Sequence, residues 1–176
     1  GLQHELLAGV DLAVEDFTRY AAVSPPGFAS KGTTTIGSPG AIGWVDESLR
    51  SVRQSQQFDA TGLGLYAQDL MQLSTTWKLL AGLRWDRFKG DYTTYATNDG
   101  NGVTTGDITA ERRRSDSLLS KRLGLLYQPD ESTSLHFSYG TSFNTSGDTY
   151  QFDVLGENTP PEKSRNLELG GSLDWA

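Results

Sequence analysis

A chain of 176 residues is long enough for one domain with a sizeable core, yet only 36% of it is hydrophobic and 20 residues are glycine. The net charge of −7 gives no support for a nucleic-acid partner. Without cysteine there is no disulfide framework, thiolate zinc site or cysteine nucleophile, and the only histidines, His4 and His136, are too far apart for a two-histidine helical metal motif.

No apolar run approaches the ~20 residues of a membrane helix. Strands that cross an outer membrane escape such a count, because they show only ~10 residues of alternation. The opening GLQHELLAGVDL has neither the basic start nor the apolar region of a signal peptide. It reads as the middle of a strand, so the chain is expected to be a piece of something larger.

Six stretches alternate with period two. In the first, Ala8, Val10, Leu12 and Val14 alternate with Gly9, Asp11, Ala13 and Glu15. The second places Leu63, Leu65, Ala67, Met71 and Leu73 opposite Gly62, Gly64, Tyr66, Gln68 and Gln72. Asp69 falls on its apolar side, which a bulge or a site near the headgroups would reconcile. The third, WKLLAGLRWDRF, sets Trp77, Leu79, Ala81, Leu83 and Trp85 against Lys78, Leu80, Gly82, Arg84 and Asp86. The fourth sets Leu123, Leu125 and Tyr127 against Arg122, Gly124, Leu126 and Gln128; the fifth, Leu135, Phe137 and Tyr139 against His136, Ser138, Gly140 and Ser142. The sixth sets Leu167, Leu169, Gly171, Leu173 and Trp175 against Asn166, Glu168, Gly170, Ser172 and Asp174.

Two connections are short, Ser74–Thr76 and Pro129–Thr133. Three are long, roughly Thr18–Arg53, Lys89–Arg113 and Asn144–Lys163, and rich in Gly, Ser, Thr, Asp and Pro. Long structureless loops count against a compact soluble domain. Short turns on one side and long loops on the other match an outer-membrane barrel. Trp77, Trp85, Tyr127 and Trp175 stand at strand ends on the apolar side, where rings settle at membrane interfaces. The fold expected is all-β, an antiparallel meander of about six strands within a large transmembrane barrel. A soluble antiparallel sandwich with one wet face is the competing architecture.

Three stretches carry a family resemblance. GLGLYAQDLMQLSTTWKLLAGLRWDRF (Gly62–Phe88) resembles the Y-x-Q-D … W-x-L-x-x-G-x-R-x-D hairpin of TonB-dependent siderophore receptors. SKRLGLLYQPDESTSLHFSYGTSF (Ser120–Phe143) is similar to the family's P-R-x-G-x-x-Y-x-P … Y-x-S-Y-x-x-S-F hairpin, departing at Lys121 and His136. NTPPEKSRNLELGGSLDW (Asn158–Trp175) resembles its P-E-x-S-x-N-x-E-x-G-x-K-x-D strand, with Ser172 where lysine is common. SFNTSGDTY is most similar to the catecholate-type receptors.

The resemblance implies a barrel of about 22 strands around a plug. Residues 1–176 are then expected to be an internal part of the barrel domain, without plug, signal peptide or closing C-terminal strand. It implies a receptor in the bacterial outer membrane, and no enzyme, for energy-coupled uptake of ferric siderophore. The iron travels as cargo and no resident cofactor is implied. The implied partners are the ferric siderophore, outer-membrane lipid and lipopolysaccharide, and a TonB-type energy-transducing protein acting through the plug.

A ferric catecholate complex is anionic and aromatic, and suits Arg and aromatic side chains. Candidates in the expected loops are Arg112, Arg113, Arg114, Tyr92, Tyr95, Trp44 and Tyr150, with Phe28 and Phe152 beside them. Arg84, Asp86, Arg122, Glu168 and Asp174 are expected to face the lumen and brace the wall against the plug. No catalytic and no metal-binding residues are expected. Asp130 and Glu131 sit in a short turn, a poor setting for acid–base work. GLGLYA (Gly62–Ala67) fits a dinucleotide fingerprint by letter but lies within a strand. His4 and His136 read as stray polar residues. A non-transport barrel, such as an adhesin or a barrel enzyme, stays open. An outer-membrane phospholipase would need a Ser/His pair facing lipid, and His136 falls on the other face.

Overall fold

In the computed structural model the described residues are 2–25, 36–37, 46–144 and 159–174. Six strands form one sheet in chain order: β1 (Gln3–Val23), β2 (Ser51–Gln72), β3 (Trp77–Tyr95), β4 (Ile108–Tyr127), β5 (Thr133–Asn144) and β6 (Glu162–Leu173). A single 3-10 turn, Glu47–Leu49, precedes β2, with Asp46 capping it by accepting from the Ser48 amide. The six alternating stretches are thus six strands, each beside its sequence neighbours.

The strands are longer than the alternation. β1 to β4 have 21, 22, 19 and 20 residues, so three of the expected bounds are corrected. The segment Lys89–Arg113, read as a loop, is mostly strand, and its connection is only 96–107. The segment Thr18–Arg53 gives residues up to Val23 to β1 and from Ser51 to β2. β6 begins at Glu162, just before the expected end of the third connection. Beyond Trp85, β3 continues through Arg87, Lys89, Asp91 and Thr93 on the side that was apolar. There the polarity of the faces inverts, with Phe88 and buried Tyr92 on the side that was polar, while ladder hydrogen bonds use only backbone groups and persist.

By contacts the chain forms two units, each taken here by itself: Gly1–Asp16, Phe58–Asp91 and Arg112–Ala176; and Phe17–Gln57 with Tyr92–Glu111. The first holds the register that matters most. β4 pairs with β5 from Tyr127 opposite Leu135 to Arg122 opposite Gly140. β5 pairs with β6 from Thr133 opposite Leu173 to Asn144 opposite Glu162. Residues of equal parity therefore share a face across β4, β5 and β6, with Leu123, Leu125, Tyr139, Phe137, Leu167 and Leu169 on one side.

That apolar face is exposed: Leu12 is 75% accessible, Leu169 81% and Leu83 57%. Among the described residues of this unit the buried apolar side chains are Phe58, Ala60 and Leu118, all on the opposite, polar face. The usual arrangement of a soluble domain is reversed. In the second unit Tyr92 and Ala96 are buried, and the connection 96–107 is fixed by Asp99, which accepts from the Thr105 amide at 2.6 Å. Gly102 and Gly106 take φ of +82° and +94° there, conformations that a side chain would strain.

Candidate functional site

The polar face of the first unit carries a cavity of ≈ 400 Å³ lined by Asp11, Tyr66, Gln68, Arg84 and Arg122. Glycines make its floor. A Cβ on Gly9 would run into the Tyr66 ring, one on Gly64 into the Arg84 guanidinium, and one on Gly82 would sit 3.2 Å from the Gln68 Cβ. Bare backbone lets Tyr66 and Arg84 lie along the sheet instead of standing off it. Arg84 bridges two acids, reaching Asp11 through Nη1 at 2.6 Å and Asp86 through Nη2 at 2.8 Å, with its carbon 5.6 Å from the Tyr66 ring centre. The guanidinium is thereby engaged, while Arg122 presents its charge at the cavity wall.

Of the residues expected to face the lumen, Arg84, Asp86, Arg122 and Glu168 lie by strand parity on the polar face. Arg84 and Asp86 are paired as described, and Arg122 lines the cavity. Glu168 Oε1 is 3.5 Å from His136 Nε2. Asp174 follows the end of β6, its amide donating to the Ser132 carbonyl at 2.8 Å. Sequence reasoning passed over Asp11, Tyr66, Gln68 and the three glycines. Their parity was the available signal, since each faces the same side as Arg84.

The candidates placed in loops are corrected. Tyr92 and Tyr95 belong to β3, and Arg112, Arg113 and Arg114 to β4. In letters the three arginines form one basic cluster; a strand divides it between two faces. Arg114 is buried against Asp116 at 2.6 Å, whereas Arg113 points the other way and meets Asp91 at 3.1 Å. Arg112 shares the Arg114 face by parity. Tyr92 is buried, and the Tyr95 hydroxyl donates to Gln57 Oε1 at 3.2 Å. Trp44 and Tyr150, with Phe28, Phe152 and Trp175, lie outside the described residues.

Both histidines also have partners. His4 is on the apolar face, not a wet one, and its Nδ1 stands 2.7 Å from Asp69 Oδ2. This cross-strand pair accounts for the acid on the apolar side of β2. At the short turns, Trp77 and Tyr127 stack with ring centres 4.5 Å apart. At the other end of the apolar run, Trp85 Nε1 donates to Ser117 Oγ at 2.8 Å. Asp130 accepts from the amide and hydroxyl of Ser132, so it shapes its turn. These hydrogen bonds, led by the hydroxyl, hold its carboxyl below the ordinary range. Among the described residues no group of three or more His, Asp or Glu side chains is placed to hold a metal ion.

Comparison with known proteins gives a consistent answer. The family model described as TonB dependent receptor-like, beta-barrel, matches residues 1–176. The metal-pseudopaline receptor CntO of Pseudomonas aeruginosa is 31% identical over 125 residues, covering 71% of this chain and 16% of that protein. The probable TonB-dependent siderophore receptor PiuA of Acinetobacter baumannii is 23% identical over 151 residues, 81% of this chain and 19% of that protein. The chain thus spans less than a fifth of these two relatives. Among solved structures, the closed form of the ferric-catecholate import receptor Fiu from E. coli superposes with a TM-score of 0.72 at 18% identity, covering 98% of this chain and 26% of that one. The copper transporter OprC superposes at 0.62 and 17% identity, with the same coverage.

Proposed function

Because this chain belongs to the TonB-dependent receptor β-barrel family, whose barrels lie in the bacterial outer membrane, we propose that it forms part of the wall of a receptor importing ferric siderophore. One observation carries the reading: a sheet that exposes its apolar face and gathers its charges on the other, matching in fold the wall of a ferric-catecholate receptor. An exposed apolar face is stable against lipid, and the polar face then belongs to a wet interior.

In this reading the import does no covalent chemistry on its cargo. Iron enters as the ferric siderophore, with no resident cofactor, and a TonB-type protein supplies energy through the plug. Arg84, Asp86, Arg122, Glu168 and Asp174 brace wall against plug. Arg112 and Tyr95, with Trp44 and Tyr150 outside the described residues, remain the side chains proposed to meet an anionic aromatic ligand; Tyr92 is buried and is a weaker candidate. Arg113 and Arg114 are held by acids and are weaker candidates.

The test is uptake of radiolabelled iron as a ferric catecholate, comparing cells with and without the receptor, with and without a proton-gradient uncoupler. Uptake requiring both receptor and gradient supports the reading. A second reading, import of another metal–chelate complex, is favoured by the likeness to a metal-pseudopaline receptor and a copper transporter. Uptake of chelated nickel, zinc or copper in place of iron would select it.

A further inference from the structure

We propose that the apolar face carries a specific site for a phosphate-bearing lipid of the outer leaflet, held by Lys121, Lys163 and Arg165 where β4 and β5 part. The ladder between these strands stops outward at Arg122 opposite Gly140. The next amide, Lys121 N, donates at 2.9 Å to Thr141 Oγ1, a side chain. β5 meanwhile stays paired with β6 as far as Asn144 opposite Glu162. A cleft of ≈ 660 Å³ opens there, with Lys121, Lys163 and Arg165 around it and Leu119, Tyr139 and Phe143 as apolar walls.

All six residues have the parity of the apolar face. The β5–β6 register sets Arg165 opposite Thr141 and Lys163 opposite Phe143. Among the described residues, none of the three cations is ion-paired with a carboxylate. Elsewhere on this face His4 meets Asp69 and Arg113 meets Asp91, while Arg87 and Lys89 flank a smaller cleft of ≈ 200 Å³. Three unmatched cations on a lipid-facing surface need an anion from outside the chain. The cleft lies toward the strand ends remote from the short turns, which in an outer membrane is the extracellular side. The anions available at that depth are lipid phosphates, and the apolar walls suit the chains that accompany them. A free phosphate would leave those walls against nothing.

The test uses the detergent-purified receptor, titrated with bisphosphorylated lipid A and followed by native mass spectrometry. Removing three charge-assisted contacts, as K121Q/K163Q/R165Q, should weaken binding by about tenfold or more. Dephosphorylated lipid should bind wild type with a similar loss, an arm that needs no variant to fold. The charge-matched triple R87Q/K89Q/R113Q, on the same face but away from the cleft, should bind within about twofold of wild type. Equal binding of phosphorylated and dephosphorylated lipid would overturn the site. So would equal losses in both triples, meaning diffuse charge, or full competition by equimolar inorganic phosphate, meaning an anion site without a lipid.

Discussion

Leu83 and Arg84 are neighbours on β3 with opposite surroundings. Leu83 stands 57% exposed among Leu65, Trp85 and Leu119, with no polar partner. Arg84 lies on a glycine floor, shared between Asp11 and Asp86 and over the Tyr66 ring. The two faces of the first unit follow this division. One spends its surface on apolar contact with a solvent that cannot hydrogen-bond; the other gathers polar groups such as Arg84 with Asp11 and Asp86 and His136 with Glu168. The difference teaches that exposure in this protein is not exposure to water. The same residues would make an unstable soluble domain and make a stable barrel wall.

The sharpest way to break the comparison is to move a charge. In the barrel that carries this chain, Ala81→Arg on the apolar face should cost about 2–4 kcal/mol, read as lost folding in urea titration into lipid vesicles. Ser138→Arg, on the polar face opposite Glu168, should change stability by no more than ~0.5 kcal/mol. Gly82→Arg is a poorer control, because its Cβ would press on Gln68. Equal tolerance of Ala81→Arg and Ser138→Arg would refute the assignment of faces.

The pair His4–Asp69 gives the next largest effect, being polar on the apolar face. Asp69 Oδ1 is buried with no hydrogen-bond partner. His4→Leu alone leaves the whole carboxylate unmatched and should cost about 1–3 kcal/mol. Adding Asp69→Leu should recover most of that loss, since an apolar pair replaces an imperfectly satisfied polar one. A double-mutant cycle measures the coupling, and additivity would mean that the pair contributes nothing.

On the polar face the matching change should be smaller. Arg84→Met removes contacts to two acids, but the side chain is 40% exposed and water can solvate both carboxylates, so the cost should stay at or below ~1 kcal/mol. The same vesicle titration reads it, and a loss as large as that of Ala81→Arg would mean this face is dry.

The smallest effect lies in the second unit. The Thr105 amide, then its hydroxyl, hold the Asp99 carboxyl below its ordinary 3.8. A depressed carboxylate adds order that is present above its unfolded value and is lost as pH falls through the lower folded one. Exchange of the Thr105 amide should therefore accelerate as pH drops below about 3.8, after correction for intrinsic rates. Asp99→Asn should remove that dependence.

Period two along each segment is a local property, so the letters alone separated Trp77, Leu79 and Ala81 from Lys78, Gly82 and Arg84, counted six strands and ordered them. The three hairpin and strand resemblances came from the same local wording. Strand ends were not legible, because pairing continues where the faces exchange polarity, as from Arg87 to Tyr95. The arginine run at 112–114 looked like one patch until a strand divided it. Partners were hidden for a related reason. His4 meets Asp69 and Arg84 meets Asp11 across 65 and 73 residues, and register between distant strands decides such meetings. The sequence by itself determined which residues share a face. Which of them touch followed from the fold, because contact depends on how distant strands are staggered, and the end of the β4–β5 ladder beside Lys121 is visible only there.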